Sequence, residues 1–426
     1  MRQIGLLILF CSLTGAVLAV PAQGRYTGDP IVGVTARSLA MGEVGLIGAT
    51  GPIEGSRNPA QLAYLPKGLH VEAVAMFPET IESRSFPIYD GFAGVLAQNQ
   101  YTSNSMGDAQ FALGASFSMK SENGMPWTVA FVTKPVLDYY YTYFEEVRDR
   151  YSTGGLQDRI LGRVSDKTEG VRRWTGLSAA VPVWNKLSAG LSVGINSGSI
   201  KTKSIFNRYL PSDSNAVTQV TNDPDNAQLE TRAGLTMQVN NRLRAGVNLT
   251  LRGGWNDKIT TDTTLSNYSS SHTTVINRTY PTSVGGAIEY IPGQALRSRI
   301  VLELEWTNWK SADLGYAGQH LLNTMEVRAG VEHRVLPEVP VRFGFRYAPS
   351  PFDQEMAVSY LSGGTGYESG NWNLDLAIQF GHLNTTGPDP VPDNLFGGLP
   401  RNDLDQIQDR MFRFTAGVSY TFGGKE

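Results

Sequence analysis

Polar and apolar residues alternate along much of this chain with a period of two. In "MFRFTAGVSYTF", residues 411–422, Phe412, Phe414, Ala416, Val418, Tyr420 and Phe422 fall on one face and Arg413, Thr415, Gly417, Ser419 and Thr421 on the other. That is the signature of a strand with one apolar and one polar side. The same alternation predicts strands at 68–77, 110–120, 127–137, 171–183, 186–200, 228–239, 242–252, 280–291, 297–308, 323–335, 339–348, 355–368, 371–384 and 411–422, fourteen in all. The connections alternate too. Those at 78–109, 138–170, 201–227, 253–279 and 385–409 are long, those at 309–322 and 349–354 are intermediate, and the ones between them are tight. Long connections therefore share one end of the sheet and short turns the other, as in a transmembrane antiparallel β-barrel of even strand number.

In lipid the apolar faces point outward and the polar faces line the interior. In "LRAGVNLTLR", Leu243, Ala245, Val247, Leu249 and Leu251 would meet lipid, with Arg244, Asn248, Thr250 and Arg252 inside. In "VRFGFRY", Val341, Phe343, Phe345 and Tyr347 point out, and Arg342 and Arg346 point in.

Composition fits that surface. Charged residues make up 18% of the chain, below the roughly 25% of soluble domains. The net charge of −3 gives no reason to expect a nucleic-acid partner. At the start, Arg2 precedes the apolar run "IGLLILFCSLTGAVLAV", with small residues at Ala19 and Ala22. Residues 1–22 are thus expected to be an export signal cut after Ala19 or Ala22, addressing the chain to the bacterial outer membrane. Cys11, the single cysteine, would leave with that signal, so the mature chain has no thiol for disulfides, Cys-ligated zinc or nucleophilic catalysis. No cofactor is expected.

Residues 23–66 do not alternate. "RSLAMGEVGLIGATGPIEGSRNPAQLAYLP" is rich in glycine and small residues and leads through Arg57 into Asn58-Pro59-Ala60. With fourteen strands both barrel ends return to one side, so this segment is expected to lie under the barrel or plug its lumen, residues 67–426 forming the barrel itself. A flexible leader is the alternative.

The segment is similar to the hatch of FadL-type transporters, fourteen-stranded outer-membrane channels for long-chain fatty acids and other hydrophobic compounds. Their hatch runs into Asn-Pro-Ala-Gly-Leu, and Gln61 stands here in place of the glycine. "LELEWTNWKS", with Trp309 and Ser311 around Lys310, and "VRFGFRYAPSPF", with Ser350-Pro351, resemble further family segments. The resemblance implies passive uptake of fatty acids or hydrocarbons by surface capture, hatch movement and lateral exit through a break in the third strand. The third strand here is "WTVAFVTKPVLDYY". Pro135 cannot donate to a ladder, so Lys134 and Pro135 mark either such an opening or the strand's exit. Family relatives that serve secretion systems suggest the alternative of a barrel that binds or shuttles exported proteins.

Tyr140, Phe144, Val147 and Tyr151 recur at helical spacing in "YYYTYFEEVRDRYSTGG". They predict an amphipathic helix, offering either a surface groove for apolar cargo or a face packed on the barrel rim. Inward arginines are numerous. Arg244, Arg328 and Arg346 are candidates to pair a cargo carboxylate, against a salt-bridge ladder with Glu289, Glu303, Glu305, Glu326 and Glu332. "GLSVG" at 190–194 matches the Gly-x-Ser-x-Gly elbow, but that motif needs a strand-to-helix turn and this one sits mid-strand. No enzyme is expected.

Overall fold

A computed structural model describes residues 27–423 apart from 93, 120–125, 150–158, 210–213, 225–226, 266–267, 294–296, 316–319, 354–355, 392–395 and 397–402. The export signal and Tyr151 lie outside the described residues.

After a two-residue strand β1 (Asp29–Pro30) the chain forms β2 (Gly68–Tyr89), β3 (Val95–Met106), β4 (Gln110–Met119), β5 (Trp127–Asp138), β6 (Tyr141–Asp149) and β7 (Arg159–Trp184). Then come β8 (Leu187–Ser197), β9 (Ile200–Arg208), β10 (Ser214–Pro224), β11 (Gln228–Gln238), β12 (Leu243–Arg252), β13 (Gly254–Leu265) and β14 (Tyr268–Thr279). The last are β15 (Ser283–Tyr290), β16 (Ser298–Thr307), β17 (Thr324–Leu336), β18 (Val339–Pro349), β19 (Ala357–Ser369), β20 (Trp372–Gly387) and β21 (Asp405–Phe422).

Fourteen of these close into one antiparallel barrel in the order β2, β4, β5, β7, β8, β11, β12, β15 to β21. Closure joins the first and last strands, with Leu69 opposite Phe422 and Ser85 opposite Gln406. The fourteen alternating segments of the sequence correspond one for one to these strands. The faces are also as expected: Phe343, Leu249 and Phe414 are exposed, while Arg342, Asn248 and Thr415 are buried. A closed ladder satisfies most of the strands' backbone groups internally, which makes an apolar exterior tolerable in hydrocarbon.

The long connections turn out to be largely strand. β7 has 26 residues, more than twice the roughly 9–11 that cross a bilayer. Its first half pairs with β6 and β9 beyond the barrel. β9, β10, β13 and β14 extend that upper sheet, and β3 prolongs the β2 edge. Polar β-branched runs such as "ITTDTTL" at 259–265 carry β propensity without a continuous apolar face, so they read as loops. In particular, β13 contains Thr260, Thr261, Thr263 and Thr264.

The segment around Phe144 is likewise the strand β6, not a helix. Its aromatic residues alternate: Tyr141, Tyr143 and Val147 pack with Leu161, Phe396 and Ile407, while Phe144 is exposed. Helical spacing at 140, 144 and 147 was coincidental with a period-two pattern that pairing to β7 selected.

Candidate functional site

Residues 27–65 lie against inward-facing side chains on all sides of the barrel. They form two short helices, α1 (Ala36–Ala40) and α2 (Pro52–Gly55), and a 3-10 turn over Pro59–Tyr64. The local causes are visible in sequence. Thr35 Oγ1 accepts from Ser38 N at 3.1 Å to cap α1, and Asn58 Oδ1 accepts from Ala60 N at 3.2 Å to start the 3-10 turn at Pro59.

Polar bonds carry much of the docking. Glu43, fully buried, accepts from Arg346 Nη1 at 2.8 Å, Arg413 Nη2 at 3.0 Å, Gln379 Nε2 at 2.9 Å and Gly33 N at 3.0 Å. Burial alone would raise its carboxyl pKa, but Arg346 and Arg413 outweigh burial and hold it well below the ordinary range. Arg57 pairs with Glu303 at 2.7 Å and donates to Glu43 O at 2.8 Å. Asn58 Nδ2 donates to Leu46 O at 2.8 Å, and Gln61 Nε2 to Thr236 Oγ1 at 2.5 Å. Pro59 and Ala60 press on the wall at Gly190, where an added methyl would overlap the Pro59–Ala60 peptide.

Such wall glycines form a signal that the sequence carried and the strand reading missed. Methyl groups at Gly234, Gly330 and Gly344 would strike Asn58, Met41 and Gly42. Glycine at an inward strand position marks close approach of another backbone.

The three candidate arginines separate. Arg328 is spent on Glu303, Glu305 and Glu326 at 2.7, 2.8 and 2.7 Å. Arg244 pairs with Glu289 at 3.2 Å and stacks on Tyr64 at 4.6 Å. Arg346 pairs with Glu43 and Glu326 and also borders a cavity.

That cavity, about 210 Å³, sits above the luminal segment. Its apolar lining includes Ile31, Met76, Met106, Trp309, Phe352 and Met356, and its charged lining is Asp29, Asp138, Glu326, Arg346 and Arg413. Tyr140 also lines it, but Phe144 and Val147 do not. The Asp29 side chain opens onto the cavity, and its enclosure there together with the facing Asp138 pushes its carboxyl up, against the pull of Arg346.

One wall of this cavity contains a break. The β4–β5 ladder runs from Met119 opposite Trp127 up to Leu113 opposite Thr133 and stops there. Lys134 and Pro135 follow. Lys134 turns inward and donates to Ser56 Oγ at 2.7 Å. On its other side β5 stays paired with β7 but slips register between Pro135 and Leu137. The edge that β4 vacates is taken by the N-terminal segment: Asp29 pairs with Asp138, Pro30 with Leu137, and Ile31 N donates to Val136 O at 3.0 Å.

The fourteen-stranded barrel recurs among solved structures. This is the FadL-type fold. A Pseudomonas aeruginosa FadL homologue superposes with a TM-score of 0.64 at 14% identity over 93% of this chain and 100% of that one. The P. putida toluene transporter TodX gives 0.59 at 13% identity, covering 92% and 99%. The Ralstonia pickettii toluene transporter TbuX gives 0.55 at 16% identity, again covering 92% and 99%. By sequence, no family profile and no curated protein matches. At such identities the FadL-type fold is what is shared.

The enzyme-like motif dissolves in this fold. Ser192 lies within β8, fully buried, its Oγ 2.7 Å from Ser178 Oγ on β7, with no turn to make it a nucleophile elbow.

Proposed function

We propose that this chain is an outer-membrane channel for passive uptake of uncharged hydrophobic molecules. Cargo enters from the long-loop end, rests in the cavity and leaves sideways between β4 and β5 when the N-terminal segment, acting as a hatch, withdraws β1. The observation that carries this reading is shared lining. Ile31 of the segment, Gln110 of β4 and Asp138 of β5 all border the cavity, so the same residues line the cargo space and flank the break in the wall.

The charges favour uncharged cargo over fatty-acid carboxylates. Both cavity arginines are already paired with Glu43, while Asp29, Asp138 and Glu326 add acidic groups to the lining. A carboxylate entering here would lack a free partner and meet like charge. Two of the structural neighbours, TodX and TbuX, are toluene transporters, whose cargo is of the uncharged kind. The binding or shuttle role in secretion has no observation in its favour.

The test is calorimetric titration of the detergent-solubilised barrel with p-xylene and with decanoate. Binding of p-xylene is expected, lost in Met356→Trp, which fills the cavity, and stronger than that of decanoate. Tighter decanoate binding would overturn the preference for uncharged cargo, and binding of neither would overturn the channel itself.

A further inference from the structure

The break in the wall leaves a backbone group in need of a partner. If the β4–β5 ladder continued two residues beyond Leu113 and Thr133, Pro135 would stand opposite Phe111. Proline has no N–H to give, and in hydrocarbon an unpaired carbonyl is strongly disfavoured. Phe111 O nevertheless has a donor. Arg173, on β7 opposite Pro135, reaches across and donates from Nη2 to Phe111 O at 2.8 Å, its guanidinium 4.1 Å from the Phe111 ring centre.

This contact lies on the outer face of the barrel. Phe111 is 53% exposed, whereas Ala112, Lys134 and Trp174, the neighbours that point inward, are buried. Pro135 is buried as well, beneath the arginine that faces it in the ladder. An arginine on a lipid face is disfavoured, so one placed there with its charge aimed at a main-chain oxygen has a specific local partner. One strand pair lower, Thr175 Oγ1 donates to Thr133 Oγ1 at 3.0 Å, and there the ordinary ladder resumes.

We infer that Arg173 is the outer latch of the lateral opening, a positioning residue that closes the β4–β5 seam from the lipid side by supplying the hydrogen bond Pro135 cannot. This rests on the lateral-exit reading. The seam then has two covers: strand β1 within the lumen and the Arg173 side chain outside. Passage requires both to yield. The side-chain bond can break and re-form by rotation about the arginine stem, whereas a backbone ladder would have to unzip. Pro135 and Arg173 are therefore complementary, one removing the permanent bond and the other replacing it with a reversible one.

The experiment places a cysteine behind the seam with Ile31→Cys in the folded barrel reconstituted in lipid vesicles. Its labelling is followed with a membrane-soluble pyrene maleimide and, separately, with a charged water-soluble maleimide. Arg173→Gln is expected to raise the membrane-side rate about tenfold, the effect of losing one charge-assisted bond, and to leave the water-side rate unchanged. Adding Pro135→Ala, which restores a backbone donor, should return the membrane-side rate to that of Arg173. Equal membrane-side rates in Arg173 and Arg173→Gln would overturn the latch while leaving the lateral exit standing. A rise in both rates together would mean that Arg173 holds the fold rather than the seam, and would also overturn it. Membrane-side labelling in no variant would refute the lateral exit and the latch with it.

Discussion

Neutralising Glu43 should release the N-terminal segment without unfolding the barrel. Its carboxylate takes bonds from Arg346, Arg413, Gln379 and Gly33, and its side chain is fully buried. Glu43→Gln keeps the size and removes the charge. Removing one partner of a buried ion pair costs about 3–5 kcal/mol. Arg346 retains Glu326 at 3.0 Å and Arg413 retains the Gly33 carbonyl at 3.3 Å, so the lower end applies. About 3 kcal/mol corresponds to roughly a hundredfold shift in the docking equilibrium. The assay is the rate at which a water-soluble maleimide labels Ser38→Cys, buried in α1, in the folded barrel. The partly exposed Glu146→Gln, whose ion pairs with Arg148 and Arg163 lie near the surface, serves as control and should change nothing measurable. Acid should mimic the substitution. Because the docked carboxyl titrates below its ordinary value of about 4.3, docking is fully supported above that pH and is lost as pH falls through the lower, docked value. No change in labelling in Glu43→Gln, or labelling that already rises as pH falls from neutral to about 5, would refute the ionic account of docking.

Two further outcomes check the wall. Gly234→Val should push Asn58 off its seat, because the added carbons occupy the position of its amide oxygen. Overpacking of about 1–3 kcal/mol should appear as faster Ser38→Cys labelling with the barrel's urea midpoint unchanged, and normal labelling would place Asn58 elsewhere. Leu249→Arg, on the outward face of β12, should lower folding stability in lipid vesicles by about 2–4 kcal/mol if it sits near mid-membrane. A loss near zero in urea titration would mean that this face does not meet lipid.

The strands were legible because period two is a local property. Each barrel strand must keep one face in hydrocarbon and one in a polar lumen, and "LRAGVNLTLR" or "MFRFTAGVSYTF" records that directly. The upper strands were not, because β13 and β14 are polar on both faces and owe their form to pairing with each other, a long-range choice that no local period encodes. β6 failed for a related reason: residues 140, 144 and 147 suit one face of a helix while 141, 143 and 147 suit one face of a strand, and pairing with β7 decided between them.

The site divides in the same way. Pro135 announced a missing donor in its own chemistry, and the abundance of inward arginines and glutamates announced a ladder of ion pairs. Which arginine faces the cavity depended on distance: Arg328 and Arg346 look alike in sequence, but only Arg346 lines the cavity. Arg173 gave no signal at all, since its partner is a main-chain oxygen two strands away. The sequence by itself determined the barrel, its strand number and its inverted polarity, because lipid acts on every residue one at a time. The tertiary structure alone decided where the N-terminal segment docks and where the wall parts, because both arise from pairs of groups far apart in the chain.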